Sequence, residues 1–123
     1  MRYQDFFIPM REIKFRAWDS LQKKMYSWEE LKANKFCSAW DLLYFPHDNK
    51  ILLEYTGLKD KNGEEIYEGD ILEHNYDPKI KSIVKWDKNE ASFHPINNFI
   101  AAKRKVIGNI YENPNLFEHK EAL

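Results

Sequence analysis

The segment Thr56-Gly57-Leu58-Lys59-Asp60-Lys61-Asn62-Gly63-Glu64-Glu65-Ile66-Tyr67 places the tightest local constraint on this chain. Asn62-Gly63 tolerates the positive φ angles of a type I′ turn, so the sequence predicts a tight hairpin there. The run leading into it, Lys50 to Thr56, reads as a strand with Ile51, Leu53 and Tyr55 on one side. A second turn, Glu68-Gly69-Asp70, follows within a few residues, and Ile71 to Tyr76 opens another strand.

The same grammar of short alternating runs between turn residues holds on either side. Arg11 to Trp18 alternates Ile13, Phe15 and Ala17 against Glu12, Lys14 and Arg16, and Met25-Tyr26 returns as its hairpin partner. Ser27 followed by Glu30 is a capping box, which predicts a short helix from Trp28 to about Lys35 that buries Trp28 and Leu31. Phe36 to Phe45 is apolar and aromatic and fits helix and strand equally, and Pro46-His47-Asp48-Asn49 is a turn by composition. Asp77-Pro78 breaks the strand before it. Ile80, Ser82, Val84 and Trp86 then alternate with Lys79, Lys81, Ile83 and Lys85 as one half-buried strand. Ala91 to Ala102 is ambiguous, although Pro95 can occupy a first helical position and Ile96, Phe99 and Ile100 have helical spacing. Lys103 to Tyr111 is a last strand, stopped by Asn113-Pro114, after which Leu116 and Phe117 turn back onto the body. Five to seven strands with one or two short helices predict a mainly β fold: a small, strongly bent sheet or a partly open, SH3-like barrel. The 123 residues fit a single domain, 1–123, in which an N-terminal lobe (1–50) packs on a barrel-like part (51–117).

Several classes of chemistry find no support. Cys37 is the only cysteine, which excludes an intramolecular disulfide and a zinc knuckle, and its neighbours Phe36 and Ala39-Trp40 make it a buried, inert thiol. His47, His74, His94 and His119 share no i, i+4 spacing and no H-E-x-x-H pattern. There is no phosphate-binding glycine loop and no G-x-S-x-G elbow. Asp60, Asn62 and Glu64 imitate a calcium loop, but Gly63 comes too early and the twelfth position is Ile71. Glu68, Asp70 and Glu73 lie close enough in sequence for a metal or acid/base cluster, yet turn capping and solvation account for them equally well. We therefore expect no catalytic residue, no metal and no cofactor. No apolar run at the N-terminus has the length of a signal peptide, and none elsewhere approaches a membrane span. The expectation is a cytoplasmic protein without a membrane partner.

Charge is unevenly spread. The net charge is −1, but residues 1–78 hold 11 basic and 15 acidic side chains, whereas residues 79–105 hold 7 basic and 2 acidic. Lys79, Lys81, Lys85, Lys103, Arg104 and Lys105 make this segment the candidate nucleic-acid contact, provided the two strands that carry them are adjacent. A solvated outer face is the plain alternative. Another is pairing with the acidic stretch Glu54 to Asp77, which has eight acids against Lys59 and Lys61.

Three blocks carry a resemblance. They are Arg16-Ala17-Trp18-Asp19 with Lys24-Met25-Tyr26, then Tyr55-Thr56-Gly57-Leu58-Lys59-Asp60 leading through Gly63 into Ile66-Tyr67-Glu68-Gly69-Asp70-Ile71, and last Val106-Ile107-Gly108-Asn109-Ile110-Tyr111-Glu112-Asn113-Pro114. In this order they resemble the YopX family of phage and prophage proteins, over about Arg11 to Phe117. The resemblance implies a mainly β architecture ending in a small barrel-like unit, with oligomers expected, and it supplies no catalytic residues to carry over. All four glycines, Gly57, Gly63, Gly69 and Gly108, lie inside the blocks, which marks a scaffold signature, and Asp70 there reads as a turn carboxylate. The expected function is that of a phage accessory protein, a non-enzymatic binding or assembly module with a protein partner or further copies of itself. The alternative is nucleic-acid binding through the basic segment.

Overall fold

Antiparallel pairing of short strands organises the chain, and two short helices are fitted between them. The computed structural model describes residues 12–33 and 49–116. Expectations that concern 36–45, Cys37, His47, Phe117 and His119 lie outside those residues. The elements are β1 (Phe15–Asp19), β2 (Lys24–Tyr26), α1 (Trp28–Lys32), β3 (Lys50–Lys59), β4 (Glu65–Tyr67), β5 (Asp70–His74), β6 (Lys81–Ile83), β7 (Lys85–Asp87), β8 (Ser92–His94), α2 (Asn98–Ala101) and β9 (Arg104–Asn109). A 3-10 turn, Pro114–Leu116, follows. The strands form sheets in the orders β2-β1-β3-β4, β6-β5-β9 and β7-β8.

The fold is mainly β, as the alternation predicts, and its sheet is strongly curled into a half-barrel. Register shifts in β3 between Tyr55 and Lys59, and in β5 between Ile71 and Leu72, mark where the pairing bends. Between the sheets, Gly69 donates to the Val84 carbonyl (2.8 Å), Val84 donates to Asp70 (2.9 Å) and Ile110 donates to Gly69 (3.0 Å). Gly69 has φ +89°, and a Cβ there would stand 2.9 Å from the Tyr111 ring, so both backbone and space require glycine. Inside the curl lie Ile66, Leu72, Val84, Phe93, Ile96 and Ala101, with Leu58, Ile100 and Val106 against them. A smaller cluster of Ala17, Tyr26 and Leu31 is closed by Trp28 and Leu52. The Ser27 capping box forms with both bonds at 3.1 Å, and α1 buries Leu31 while Trp28 is half-buried.

Four local expectations are corrected. Asn62 does not take a positive φ; only Gly63 does in this loop (+81°), so the turn is not type I′. Instead the Asp60 carbonyl accepts the Gly63 N–H (3.0 Å) and the Asp60 N–H reaches the Glu64 carbonyl (2.8 Å). The Asp60 carboxylate decides this: its Oδ1 accepts from Asn62 N (2.8 Å) and Glu64 N (2.9 Å), which holds Asn62 in an ordinary right-handed turn. The strand expected over Lys79–Trp86 divides into β6 and β7 because Val84 turns both its backbone groups toward the Gly69-Asp70 turn. Pro95 does not begin a helix; Asn97 caps α2, its Oδ1 accepting from Ile100 N at 2.8 Å. Ile13 precedes β1 and is 54% exposed, and Ile51 at the start of β3 is also exposed, since the buried stretch of each strand lies nearer the sheet centre.

Asp60 also reaches across the barrel. Its Oδ2 accepts from Val106 N (2.8 Å) in β9, beside a backbone bond from Lys61 N to Arg104 O (3.0 Å). One buried carboxylate thus satisfies three backbone donors, two from its own loop and one from β9. Asp60→Ala leaves all three without acceptors, and we expect it to lower unfolding free energy by about 3 kcal/mol or more in urea titration. An unchanged midpoint and slope would show that the hairpin does not need this bond set.

Candidate functional site

The most deeply placed charge in the described structure sits where the two larger sheets meet. Arg16 of β1 pairs through Nη2 with Asp70 Oδ1 of β5, and Asp70 Oδ2 accepts from Tyr67 N at 2.8 Å. Asp70 is 1% exposed, and the guanidinium lies 4.6 Å from the centre of the Tyr67 ring. Asp70 is therefore the turn carboxylate that the sequence suggested, with an arginine added from a strand 54 residues away. A cleft of about 300 Å³ opens beside the pair between Glu64, Gly108, Asn109 and Glu112. A Cβ on Gly108 would come within 2.5 Å of Asn113 Oδ1, so the glycine lets the Asn109–Asn113 turn close over this edge.

A second cation, Lys14, stands just before β1 and works in parallel. Lys14 pairs with Glu65 of β4 and with Glu12 (3.3 Å), and its ammonium stands 4.9 Å from the Tyr55 ring centre. The bond to Glu65 chiefly raises the Lys14 pKa. Burial pushes the Tyr67 hydroxyl up to about 12, helped by Glu65 beside it. The ion pairs that the acidic stretch closes among the described residues thus run to Lys14 and Arg16, at and just before β1, and not to the basic segment.

The basic residues are distributed over several elements. Their strands are not adjacent: β5 lies between β6 and β9. Even so, the register sets Lys81 and Lys105 opposite the same residue, Glu73, one on each side. Neither approaches it as an ion pair, and Lys81 Nζ donates to Pro78 O at 3.1 Å. Arg104 pairs in register with His74, and its Nη1 donates to Lys103 O (3.4 Å). Lys103 follows α2 and stands 3.9 Å over the exposed Phe99 ring. Lys79 is exposed in the β5–β6 connection, where its N–H caps Asp77 (3.0 Å).

Lys85 belongs to the β7–β8 ribbon, which forms a sheet of its own. There Trp86 is paired with Phe93 across the strands, with ring centres 5.0 Å apart and edge to face. Phe93 is buried in the core, whereas Trp86 is 46% exposed. Lys85, Trp86, Asp87, Lys88 and His94 line one open groove of about 420 Å³. Strict alternation had placed Trp86 on the buried side of a continuous strand. The interruption at Val84 carries it onto a ribbon at the rim, so periodicity alone could not find this groove.

Acid/base and metal constellations do not assemble among the described residues. Glu73 faces the flanking lysines' register, Asp70 is held by Arg16, and Glu68 is a separate half-buried carboxyl whose pKa burial raises. No group of three His, Cys, Asp or Glu side chains is placed to hold a metal ion there. His74 packs edge-on against Tyr76 (5.7 Å), and burial lowers its pKa. No helix among the described residues is long and apolar enough to cross a membrane.

The model of the YopX protein family matches residues 14–118. The chain belongs to the YopX family. Among solved structures, the family member described here is similar to protein EF1440 from Enterococcus faecalis, with 26% identity and a TM-score of 0.60 over 89% of this chain and all of that one. It is also similar to protein yopX from Bacillus subtilis, with 16% identity and a TM-score of 0.48 over the same shares. No curated protein matches. In this YopX-family chain all three blocks that carried the resemblance contribute to the Arg16–Asp70 junction: Arg16 from the first, Asp70 from the second, Gly108 and Asn109 from the third.

Burial pushes the Asp70 carboxyl up to about 6, against the downward pull of Arg16 and the Tyr67 N–H. The native state then holds this proton more tightly than the unfolded chain, whose value is near 3.8. The contribution is fully present below about pH 4 and is lost as the pH rises through 6. We expect the stability of the wild type relative to Asp70→Asn to fall by roughly 2 kcal/mol between pH 4 and pH 7 in urea unfolding. A difference that grows over that range would mean that Arg16 outweighs burial.

Proposed function

We propose that this YopX-family protein is a phage- or prophage-encoded, non-enzymatic binding module that works in the bacterial cytoplasm. It meets a macromolecular partner, or further copies of itself, through the face that carries the β7–β8 ribbon. The observation behind this reading is the partition of its polar groups. Asp19, Asp60, Asp70 and Asn109, all buried, have their oxygens engaged by turn N–H groups or by Arg16. Trp86, with Lys85 and Lys88 beside it, serves no such structural bond and faces solvent. Large aromatic surface ringed by polar groups is the composition of a recognition patch.

A second reading is supported by the register. Lys81 and Lys105 flank Glu73, and none of Lys79, Lys81, Lys85, Lys88 and Lys105 closes an ion pair with a described carboxylate. Cations left in solvent are available to phosphates. Nucleic acid is on this reading the partner.

The module is tested by immobilising the wild type and Trp86→Ala/Lys85→Glu and incubating both with extract of a bacterial host, with and without nuclease. We expect the wild type to retain a defined partner and the variant to lose at least about tenfold of it. Equal retention by both would move recognition away from the ribbon. Catalytic conversion of any retained small molecule would overturn the non-enzymatic reading.

A further inference from the structure

Trp86 is an unusual side chain to leave half in water. It is held from behind, since Phe93 is its cross-strand neighbour and belongs to the core. The indole therefore presents a face that is already ordered, and a ligand stacking on it does not have to immobilise it first. The groove it lines carries two ammonium groups, Lys85 and Lys88, and the exposed imidazole of His94. The one carboxylate in the lining, Asp87, is tied into the β7–β8 turn: its Oδ1 accepts from Asn89 N (2.9 Å) and Glu90 N (3.3 Å). A planar apolar face with two ammonium groups at its edge, against one carboxylate already bonded to the turn, suits a flat ring that bears a nearby phosphate.

We infer that the groove lined by Lys85, Trp86, Lys88 and His94 binds single-stranded nucleic acid, with one unpaired base stacked on the Trp86 indole and its flanking phosphates held by Lys85 and Lys88. This rests on, and makes specific, the binding-module reading above. A single strand is favoured over a duplex because the groove offers the face of one ring, and only an unpaired base can present its own face to it. Lys81, four residues before Lys85 along the same chain, and Lys105 extend the positive charge onto the neighbouring sheet. They supply contacts to the backbone that do not depend on sequence. Phe99 is a poorer stacking platform, because Lys103 already covers its ring at 3.9 Å.

The test is fluorescence anisotropy with labelled oligo(dT), a matching single-stranded RNA, a duplex of equal length and thymidine monophosphate. It is run from about 50 to about 200 mM salt, the range over which phosphate contacts weaken steeply. We expect both single strands to bind more tightly than the duplex, with affinity that falls with salt, and the mononucleotide to compete weakly. Trp86→Ala should weaken single-strand binding about tenfold or more while leaving the salt slope nearly unchanged, and Trp86→Phe should recover most of it. Lys85→Glu/Lys88→Glu should weaken binding by more than about tenfold and flatten the salt dependence of what remains.

Thermal melts of each variant separate a folding defect from lost contact. If Trp86→Ala melts early, Trp86→Phe and Lys85→Glu/Lys88→Glu carry the test. Duplex and single strand bound equally, with no effect of Trp86 substitution, would overturn the stacking site and leave phosphate attraction alone. Absence of binding at low salt would overturn the inference. It would leave the module reading to the extract experiment, where a nuclease-resistant partner lost with Trp86 would name a protein as occupant.

Discussion

One buried carboxylate decides how the two halves of this fold meet. Asp70 begins β5, takes the Tyr67 N–H from the turn before it, and accepts Arg16 from β1. The hydrophobic clusters on either side are small and separate, so neither by itself dictates the angle between the sheets. A buried ion pair contributes little net stability, because removing both charges from water offsets their attraction. What it supplies is geometry: any other approach of β1 to β5 strands a carboxylate in an apolar setting. The raised Asp70 pKa is the trace of that cost, and Tyr67, stacked under the guanidinium, fixes the direction from which Arg16 enters.

The same device recurs at the other turns. Asp19 accepts from Leu21 N, Gln22 N and Asn49 Nδ2, and the Gln22 N–H does most to lower its pKa. Asn109 accepts from Tyr111 N and Glu112 N and donates to Glu112, while Asp60 serves three donors. Short strands leave many backbone groups beyond the ends of their ladders, and in a strongly curled sheet these fall where water does not reach easily. Short acidic and amide side chains are the means by which this chain satisfies them. The resemblance blocks are accordingly blocks of turn chemistry, rich in glycine and Asx residues.

Satisfying the acids internally has an electrostatic consequence. Glu65 and Asp70 are matched by Lys14, just before β1, and Arg16 on β1, so the acidic stretch is partly neutralised from the N-terminal side. Among the described residues Lys79, Lys85, Lys88 and Lys105 are left exposed and Lys81 half-buried, on and between β6, β7 and β9, with the half-exposed Trp86 indole on the β7–β8 ribbon. A chain of nearly zero net charge can in this way carry a locally basic surface.

The alternation of residues along 50–56 and 71–76, the capping box at Ser27 and the turn residues were sufficient to give a mainly β fold with one or two short helices, because period and turn chemistry are local properties. Asp70 as a turn carboxylate was legible for the same reason, since its partner Tyr67 N is three residues away. Arg16 as its counter-ion was not, because the two are 54 residues apart and nothing in a single sequence pairs them. The break at Val84 was hidden as well: its cause is a pair of backbone bonds to Gly69 and Asp70 in another strand, which leave no mark on the alternation. That break is what moves Trp86 from a nominally buried position to the rim, beside Lys85 and Lys88. Sequence by itself determined the mainly β character and the charge imbalance. Only the tertiary structure decided which charges cancel and which aromatic is left in water, because both depend on contacts between segments far apart in the chain.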